Sequence, residues 1–142
     1  VRLRGAYVIR CDELVRDADG EIAELRCSVD LATLGKNPEG RKVKGVIHWV
    51  SATDGVPATV RLYDRLFTVA NPESKDVEDF RTLLNPDSLR VLEGCLVEPA
   101  AASADSALSF QFEREGYFTR DTVDSTNAAL VFNQTIGLRA SH

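Results

Sequence analysis

The segment V-I-R-C-D-E-L-V-R-D-A-D-G-E-I-A-E-L-R-C-S-V-D-L, residues 8–31, contains two runs of alternating apolar and polar residues around a turn. Alternation with a period of two is typical of β-strands that bury one face. Residues 17–20, D-A-D-G, predict the turn, because glycine readily adopts positive φ. We therefore predict a β-hairpin from a strand over residues 1–11 and a second over 24–31. Its predicted inward residues are Val1, Leu3, Tyr7, Ile9, Cys11, Leu25, Cys27, Val29 and Leu31.

The remaining sequence predicts further short strands rather than a helical fold. A helix is expected only over residues 76–84, with Ser74 or Asn71 as its cap, and residues 99–106 are expected to form a helical turn or a loop. Many short strands separated by turns favour an all-β barrel or sandwich. These strands are predicted over residues 42–51, 58–69, 88–97, 107–113, 117–119 and 129–138.

Composition is that of a soluble globular chain. The 142 residues carry a net charge of −5, with 44% hydrophobic residues and no apolar run long enough to span a bilayer. The three cysteines are odd in number and widely spaced, which argues against a disulfide framework. We expect Cys11, Cys27 and Cys95 to be buried free thiols, and the protein to be cytoplasmic.

The chain contains no Met and begins at Val1 within a predicted strand. We therefore expect it to be part of a longer polypeptide, with any activity encoded upstream missing here.

Catalytic and metal-binding signatures are absent from the sequence. Of the two histidines, His142 is terminal and His48 is expected to be structural. No paired-Cys or H-x-x-H spacing predicts a metal site, and neither a phosphate-binding loop nor a nucleophile elbow occurs. We therefore assign no catalytic, cofactor-binding or metal-ligating residue.

Arginine and other polar side chains lie on predicted strand faces and are mixed with aromatic residues, a combination that suits single-stranded RNA. Arg2 and Arg4 share one strand, while Gln111 and Arg114 lie in S-F-Q-F-E-R-E-G-Y-F, residues 109–118. Guanidinium and amide groups hydrogen-bond base edges, and aromatic rings stack on unpaired bases. The alternative is a β-fold with solvated arginines and a phenylalanine core. A cluster at Arg41, Lys42 and Lys44 would at most attract phosphate generally.

Five strings, in order over nearly the whole chain, resemble the C-terminal anticodon-binding region of the glutaminyl-tRNA synthetase family, bacterial type. They are V-R-L-R-G-A-Y-V-I at 1–9, G-R-K-V-K-G-V-I-H-W-V-S at 40–51, R-L-Y-D-R-L-F at 61–67, F-Q-F-E-R-E-G-Y-F at 110–118 and V-F-N-Q-T-I-G-L-R at 131–139.

The resemblance implies two small β-barrels with one or two short helices. Residues 1–45 and about 132–142 would form part of a first barrel, incomplete on its N-terminal side, and about 46–131 the second. The parent would be a class I glutamine–tRNA ligase that uses ATP and Mg²⁺ through a catalytic domain absent here. Its partner would be the anticodon loop of the tRNA for glutamine, with neither membrane nor DNA involved.

The resemblance also implies roles for four residues. Arg2 would contact the first anticodon base, Arg4 would lie beside the same RNA, and Gln111 and Arg114 would serve the middle uridine. Three alternatives stay open: a glutamyl-tRNA synthetase of archaeal or eukaryotic type, a barrel protein that binds ribosomal RNA, and a non-catalytic structural β-domain.

Overall fold

A computed structural model describes residues 1–73 and 78–138 of the chain. It confirms the all-β prediction, because the described residues form two antiparallel-rich sheets with only short helical turns. The chain divides into two compact units, Val1–Trp49 and Val50–His142.

The first unit contains a four-stranded sheet in the order β3-β2-β1-β4. The short β1 runs antiparallel to β2 and parallel to β4. The predicted hairpin is confirmed, since β2 and β3 pair antiparallel around Gly20, whose φ is +85°. The strands are β1 (Arg2–Leu3), β2 (Val8–Arg16), β3 (Ile22–Asp30) and β4 (Val46–Ile47).

The prediction of one continuous strand over residues 1–11 is wrong, because the chain reverses at Gly5. Gly5 has φ +69°, and the Leu3 N–H donates to the Tyr7 carbonyl oxygen at 3.0 Å. Glycine tolerates this left-handed conformation, whereas other residues rarely do. The reversal places Arg2 opposite Val8 on β2. Of the strand predicted over residues 42–51, the structure contains only β4.

The predicted inward face of the hairpin is exposed in the described residues. Leu25 is 54% exposed and Val29 is 50% exposed. The buried residues of this unit are instead Val8 and Thr33, and Thr33 lies in the 3₁₀ turn Leu31–Thr33 that follows β3. Alternation correctly predicted strands, but no described segment covers their apolar face.

The second unit contains a five-stranded sheet in the order β6-β5-β9-β8-β7. All neighbours are antiparallel except β5 and β9, which run parallel. Its core holds Phe118 and Phe132, packed against Phe110 and Phe112. The strands are β5 (Val56–Tyr63), β6 (Leu89–Val97), β7 (Ser109–Phe112), β8 (Gly116–Arg120) and β9 (Leu130–Gly137).

The helix predicted over residues 76–84 is not found in its described part. Ser74 and residues 75–77 lie outside the described residues, and the remainder forms one 3₁₀ turn, Phe80–Leu83, capped by Asp79. The helix α1 (Pro99–Ser103) occupies the segment predicted as a helical turn or loop. No helix in the described chain has both the length and the apolar character needed to cross a membrane.

The sheet to which β9 belongs differs from the one that the predicted domain partition gave it. Residues 132–142 were expected to complete the first barrel, yet β9 pairs with β5 and β8 in the sheet of the second unit. Its residues Leu130, Val131 and Phe132 are buried there, which explains the pairing. The rest of the predicted partition, and closure of either sheet into a barrel, stay predictions.

Candidate nucleic-acid interface

Arg2 lies on β1, in the middle of the first sheet, and its side chain is half-buried. Its Nη1 donates to the carbonyl oxygens of Ala6 at 3.0 Å and Thr33 at 2.8 Å, and its Nη2 donates to that of Lys36. A guanidinium has five N–H groups. Within the described residues Arg2 therefore holds the turn after β3 against β1 and keeps further donors for a ligand.

Arg4 follows β1 and is exposed, and Trp49 holds its backbone. The Arg4 N–H donates to the Ile47 carbonyl oxygen at 2.9 Å, and the Arg4 carbonyl oxygen accepts the indole N–H of Trp49 at 3.0 Å. Trp49 remains 46% exposed. An exposed aromatic ring is a stacking platform for unpaired bases.

Trp49 was missed as a candidate by sequence reasoning. The chain has a single Trp, and the sequence placed it only within the strand predicted over residues 42–51. Its proximity to Arg4 arises from the parallel pairing of β1 with β4, a contact between residues distant in sequence.

A basic loop precedes β4 and contains the predicted cluster of Arg41, Lys42 and Lys44. All three residues are exposed, and the ion pairs of the described residues do not include them. They belong to the same unit as Arg2 and Arg4. Exposed cations outside ion pairs suit general attraction to phosphate.

Gln111 lies on β7, at the edge of the second sheet, with an aromatic residue directly opposite. The register pairs Gln111 with Tyr117 of β8, so their side chains share a face, and both are exposed, Tyr117 by 41%. The neighbouring Phe110 and Phe112 pack against the core on the other face. The phenylalanine core and the exposed polar face are therefore two sides of one strand.

Arg114 occupies the turn between β7 and β8, in an unusual backbone conformation. Its φ is +67°, and among described non-glycine residues it alone has positive φ. The Glu115 N–H donates to the Phe112 carbonyl oxygen at 2.9 Å and closes the turn. A left-handed residue with a Cβ costs about 1–2 kcal/mol. Strained backbone conformations of this kind cluster at functional sites.

The four predicted residues therefore form two pairs, each within one unit. Arg2 lies on β1 and Arg4 directly follows it in the first unit, while Gln111 and Arg114 share the β7–β8 hairpin in the second.

A polar network in the second unit was not predicted from sequence. Arg61 of β5 donates to the carboxylates of Asp121 at 3.2 Å and Asp124 at 2.7 Å. Asn133 of β9 donates to Asp121 at 2.6 Å and accepts the hydroxyl of Tyr63 at 2.9 Å. The network holds the loop after β8 against β5 and β9.

Asp121 is the centre of this network, with 13% of its side chain exposed. The backbone N–H of Asp124, the amide of Asn133 and the N–H of Val123 lower the pKa of Asp121 to about 2. The hydrogen bond to Asp124 raises the pKa of Arg61. These groups are bound to one another, which indicates a structural role.

The described residues contain no group of three or more His, Cys, Asp or Glu side chains arranged to hold a metal ion. What the two pairs offer chemically is directed donors and exposed aromatic rings. These groups recognise nucleic-acid bases.

Sequence comparison identifies the class of protein. A family model for the anticodon-binding domain of class I tRNA synthetases (E and Q) matches residues 46–121, more than half of the chain. The chain belongs to this family.

Two glutamine–tRNA ligases are similar to this chain over nearly its whole length. It is 61% identical over 142 residues to glutamine–tRNA ligase of Pseudomonas syringae pv. tomato, and 59% identical over 140 residues to that of Photobacterium profundum. The alignments cover 99% and 98% of this chain, and 25% of each relative. The chain therefore spans about a quarter of the length of these relatives.

Proposed function

We propose that this chain recognises the anticodon of the tRNA for glutamine, as the RNA-reading part of a glutamine–tRNA ligase. The observation that carries the proposal is the β7–β8 hairpin, where exposed Gln111 lies opposite exposed Tyr117 and Arg114 occupies the adjoining turn. Membership of the anticodon-binding family and high identity to two named ligases support it.

Gln111 and Arg114 would read the middle uridine. An amide offers a donor and an acceptor to a base edge, and a guanidinium offers paired donors. Tyr117, on the same face as Gln111, would stack on a neighbouring base. Because the turn already fixes the backbone of Arg114, this residue would lose little further backbone freedom when RNA binds.

Arg2 would contact the first anticodon base, with Arg4 beside the same RNA. The three carbonyl bonds of Arg2 leave two of its N–H groups for a base. Its guanidinium would thus be oriented before RNA arrives. The exposed ring of Trp49 next to Arg4 would supply stacking.

The chemistry of aminoacylation would lie outside this chain. The parent ligase would use ATP and Mg²⁺, bound by residues beyond the anticodon-binding region, and would work in the cytoplasm without membrane or DNA partners.

The test is a specificity measurement in the full polypeptide that carries this chain. Gln111→Ala should lower kcat/KM for the cognate tRNA and reduce its advantage over a tRNA altered at the middle anticodon base. By analogy with groove readout, one bidentate contact contributes about 1–3 kcal/mol of discrimination. Lys42→Ala is the matched control: it should weaken all tRNAs alike and reduce the salt dependence.

Equal losses on every tRNA with Gln111→Ala would show that Gln111 only positions the RNA backbone. Because the family description includes both E and Q enzymes, the assay includes the tRNA for glutamate. Preferential use of that tRNA by the unmodified protein would refute the assignment to glutamine.

A further inference from the structure

Two cysteines face each other across the hairpin of the first unit. The register of β2 and β3 places Cys11 directly opposite Cys27, so both side chains lie on the same face of the sheet. Cys95 lies on β6 in the second unit, opposite Ala58. The chain therefore contains one opposed thiol pair and one separate thiol.

Backbone hydrogen bonding shows that this is the closer type of cross-strand pair. The Ile9 N–H donates to the Val1 carbonyl oxygen at 2.8 Å, and the Ile9 carbonyl oxygen accepts from the Val1 amine at 3.0 Å. The backbone hydrogen bonds of Ile9 therefore point toward β1 and away from β3. Cys11, two residues further along β2, has the same orientation. In such non-hydrogen-bonded pairs the Cα atoms are about 4.5 Å apart, within the range of natural disulfides.

Both cysteines of the pair are exposed within the described residues. Cys11 and Cys27 are both exposed free thiols, which corrects the prediction that these two cysteines are buried. They line a cavity of about 320 Å³ together with Arg10 and Arg41. Arg10 pairs with Asp12 at 2.6 Å, while Arg41 has no ion pair among the described residues. Partial desolvation and the neighbouring Cys11 raise the pKa of the Cys27 thiol.

We propose that Cys11 and Cys27 are a redox-active dithiol that a small anionic disulfide such as oxidised glutathione converts into an intramolecular disulfide. One thiolate attacks a sulfur of the oxidant, forms a mixed disulfide and releases one glutathione thiol. The second thiolate then attacks the protein sulfur of the mixed disulfide and releases the second glutathione thiol. Two protein thiols are oxidised and one oxidised glutathione is reduced.

The bond would join β2 and β3 on the side of the sheet that the described residues leave uncovered. Cys11 lies just before a register shift, since Glu13 rather than Asp12 pairs with Arg26. Oxidation would therefore fix the register where β2 is irregular. This inference does not depend on the proposed RNA function.

The experiment treats the full polypeptide that carries residues 1–142 with oxidised glutathione, then alkylates the remaining thiols under denaturing conditions. Tryptic mass mapping should show the peptides 11–16 and 27–36 joined by a disulfide, with Cys95 still alkylated. In Cys11→Ser and Cys27→Ser the surviving thiol of the pair should retain glutathione. Cys95→Ser is the matched control and should close the same bond as the unmodified protein.

Closure should depend on the folded register. The equilibrium constant for closure should fall at least roughly tenfold in denaturing urea, because the unfolded chain no longer holds the thiols together. Stable glutathione adducts on both cysteines of the folded protein would overturn the proposal. So would a bond that includes Cys95, or equal closure with and without urea.

Discussion

The guanidinium of Arg2 donates to the carbonyl oxygen of Thr33 at 2.8 Å, and the hydroxyl of the same Thr33 accepts the N–H of Val8 at 2.8 Å. Thr33 is 1% exposed, so these bonds lie at the centre of the first unit. A residue proposed to read a base is thus also a structural element. Loss of RNA selectivity on its substitution has two possible causes, which must be separated experimentally.

Arg2→Ala should lower the free energy of unfolding of the first unit. Hydrogen bonds to a charged donor contribute about 1.5–3 kcal/mol each, and partial exposure reduces this, so we expect a total loss of about 1–3 kcal/mol. Urea unfolding monitored by the fluorescence of Trp49, the single Trp of the chain, measures it. Arg4→Ala is the exposed comparison and should change stability by less than about 1 kcal/mol.

Thr33→Val separates structure from recognition, because it removes the hydroxyl that accepts from Val8 and leaves Arg2 in place. It should reduce stability with little change in discrimination at the first anticodon base. If Thr33→Val and Arg2→Ala reduced discrimination equally, direct base reading by Arg2 would be ruled out.

The sequence predicted strands well because period-two alternation is a local property. The β7–β8 hairpin shows this best: Phe110 and Phe112 pack inward and Gln111 faces outward, as alternation requires. The same rule assigned Cys11 and Cys27 to a buried face, but alternation shows which residues share a face and not which face is covered.

Long-range contacts could not be predicted in this way. The Arg61–Asp121 ion pair joins residues that are 60 positions apart, and the Trp49–Arg4 hydrogen bond joins residues that are 45 positions apart. Both depend on parallel strand pairs, β5 with β9 and β1 with β4. The reversal at Gly5 was missed for a different reason, since one glycine in an apolar-alternating run reads equally well as part of a strand.

Asp121 should make stability depend on acid pH. Because its pKa is lowered from 3.8 to about 2 in the folded state, its contribution is complete above 3.8 and is lost as the pH falls through about 2. Asp121→Asn should therefore be less stable than the unmodified chain at neutral pH, with the difference shrinking between these values. Urea midpoints measured across this range test the expectation.

Asn133→Ala is the companion variant, because it removes one donor that lowers the pKa of Asp121. The acid-dependent loss of stability should therefore be smaller than in the unmodified chain, and should be complete at a higher pH. If the unfolding free energies of Asp121→Asn and the unmodified chain differed by the same amount at every pH, the carboxylate charge would contribute nothing to stability.

Trp49 should contribute to RNA affinity through its ring. Trp49→Ala should weaken binding of a labelled anticodon stem-loop by about 1–3 kcal/mol, the range for stacking on one base. Trp49→Phe retains a ring but loses the N–H that donates to Arg4, so it should keep most of the affinity. Fluorescence anisotropy gives both values. Equal losses in the two variants would assign the effect to the hydrogen bond rather than to stacking.

Arg114 allows backbone strain and recognition to be measured separately at one position. Arg114→Gly and Arg114→Ala both remove the side chain, so both should reduce discrimination at the middle anticodon base to the same extent. Glycine accepts the φ of +67° that the turn requires. Alanine retains the strain, so the glycine variant should be the more stable of the two by about 1 kcal/mol. Thermal unfolding and tRNA specificity are measured on both variants. A glycine variant no more stable than the alanine variant would show that the left-handed conformation carries no strain here, and unchanged specificity in both would exclude Arg114 from base reading.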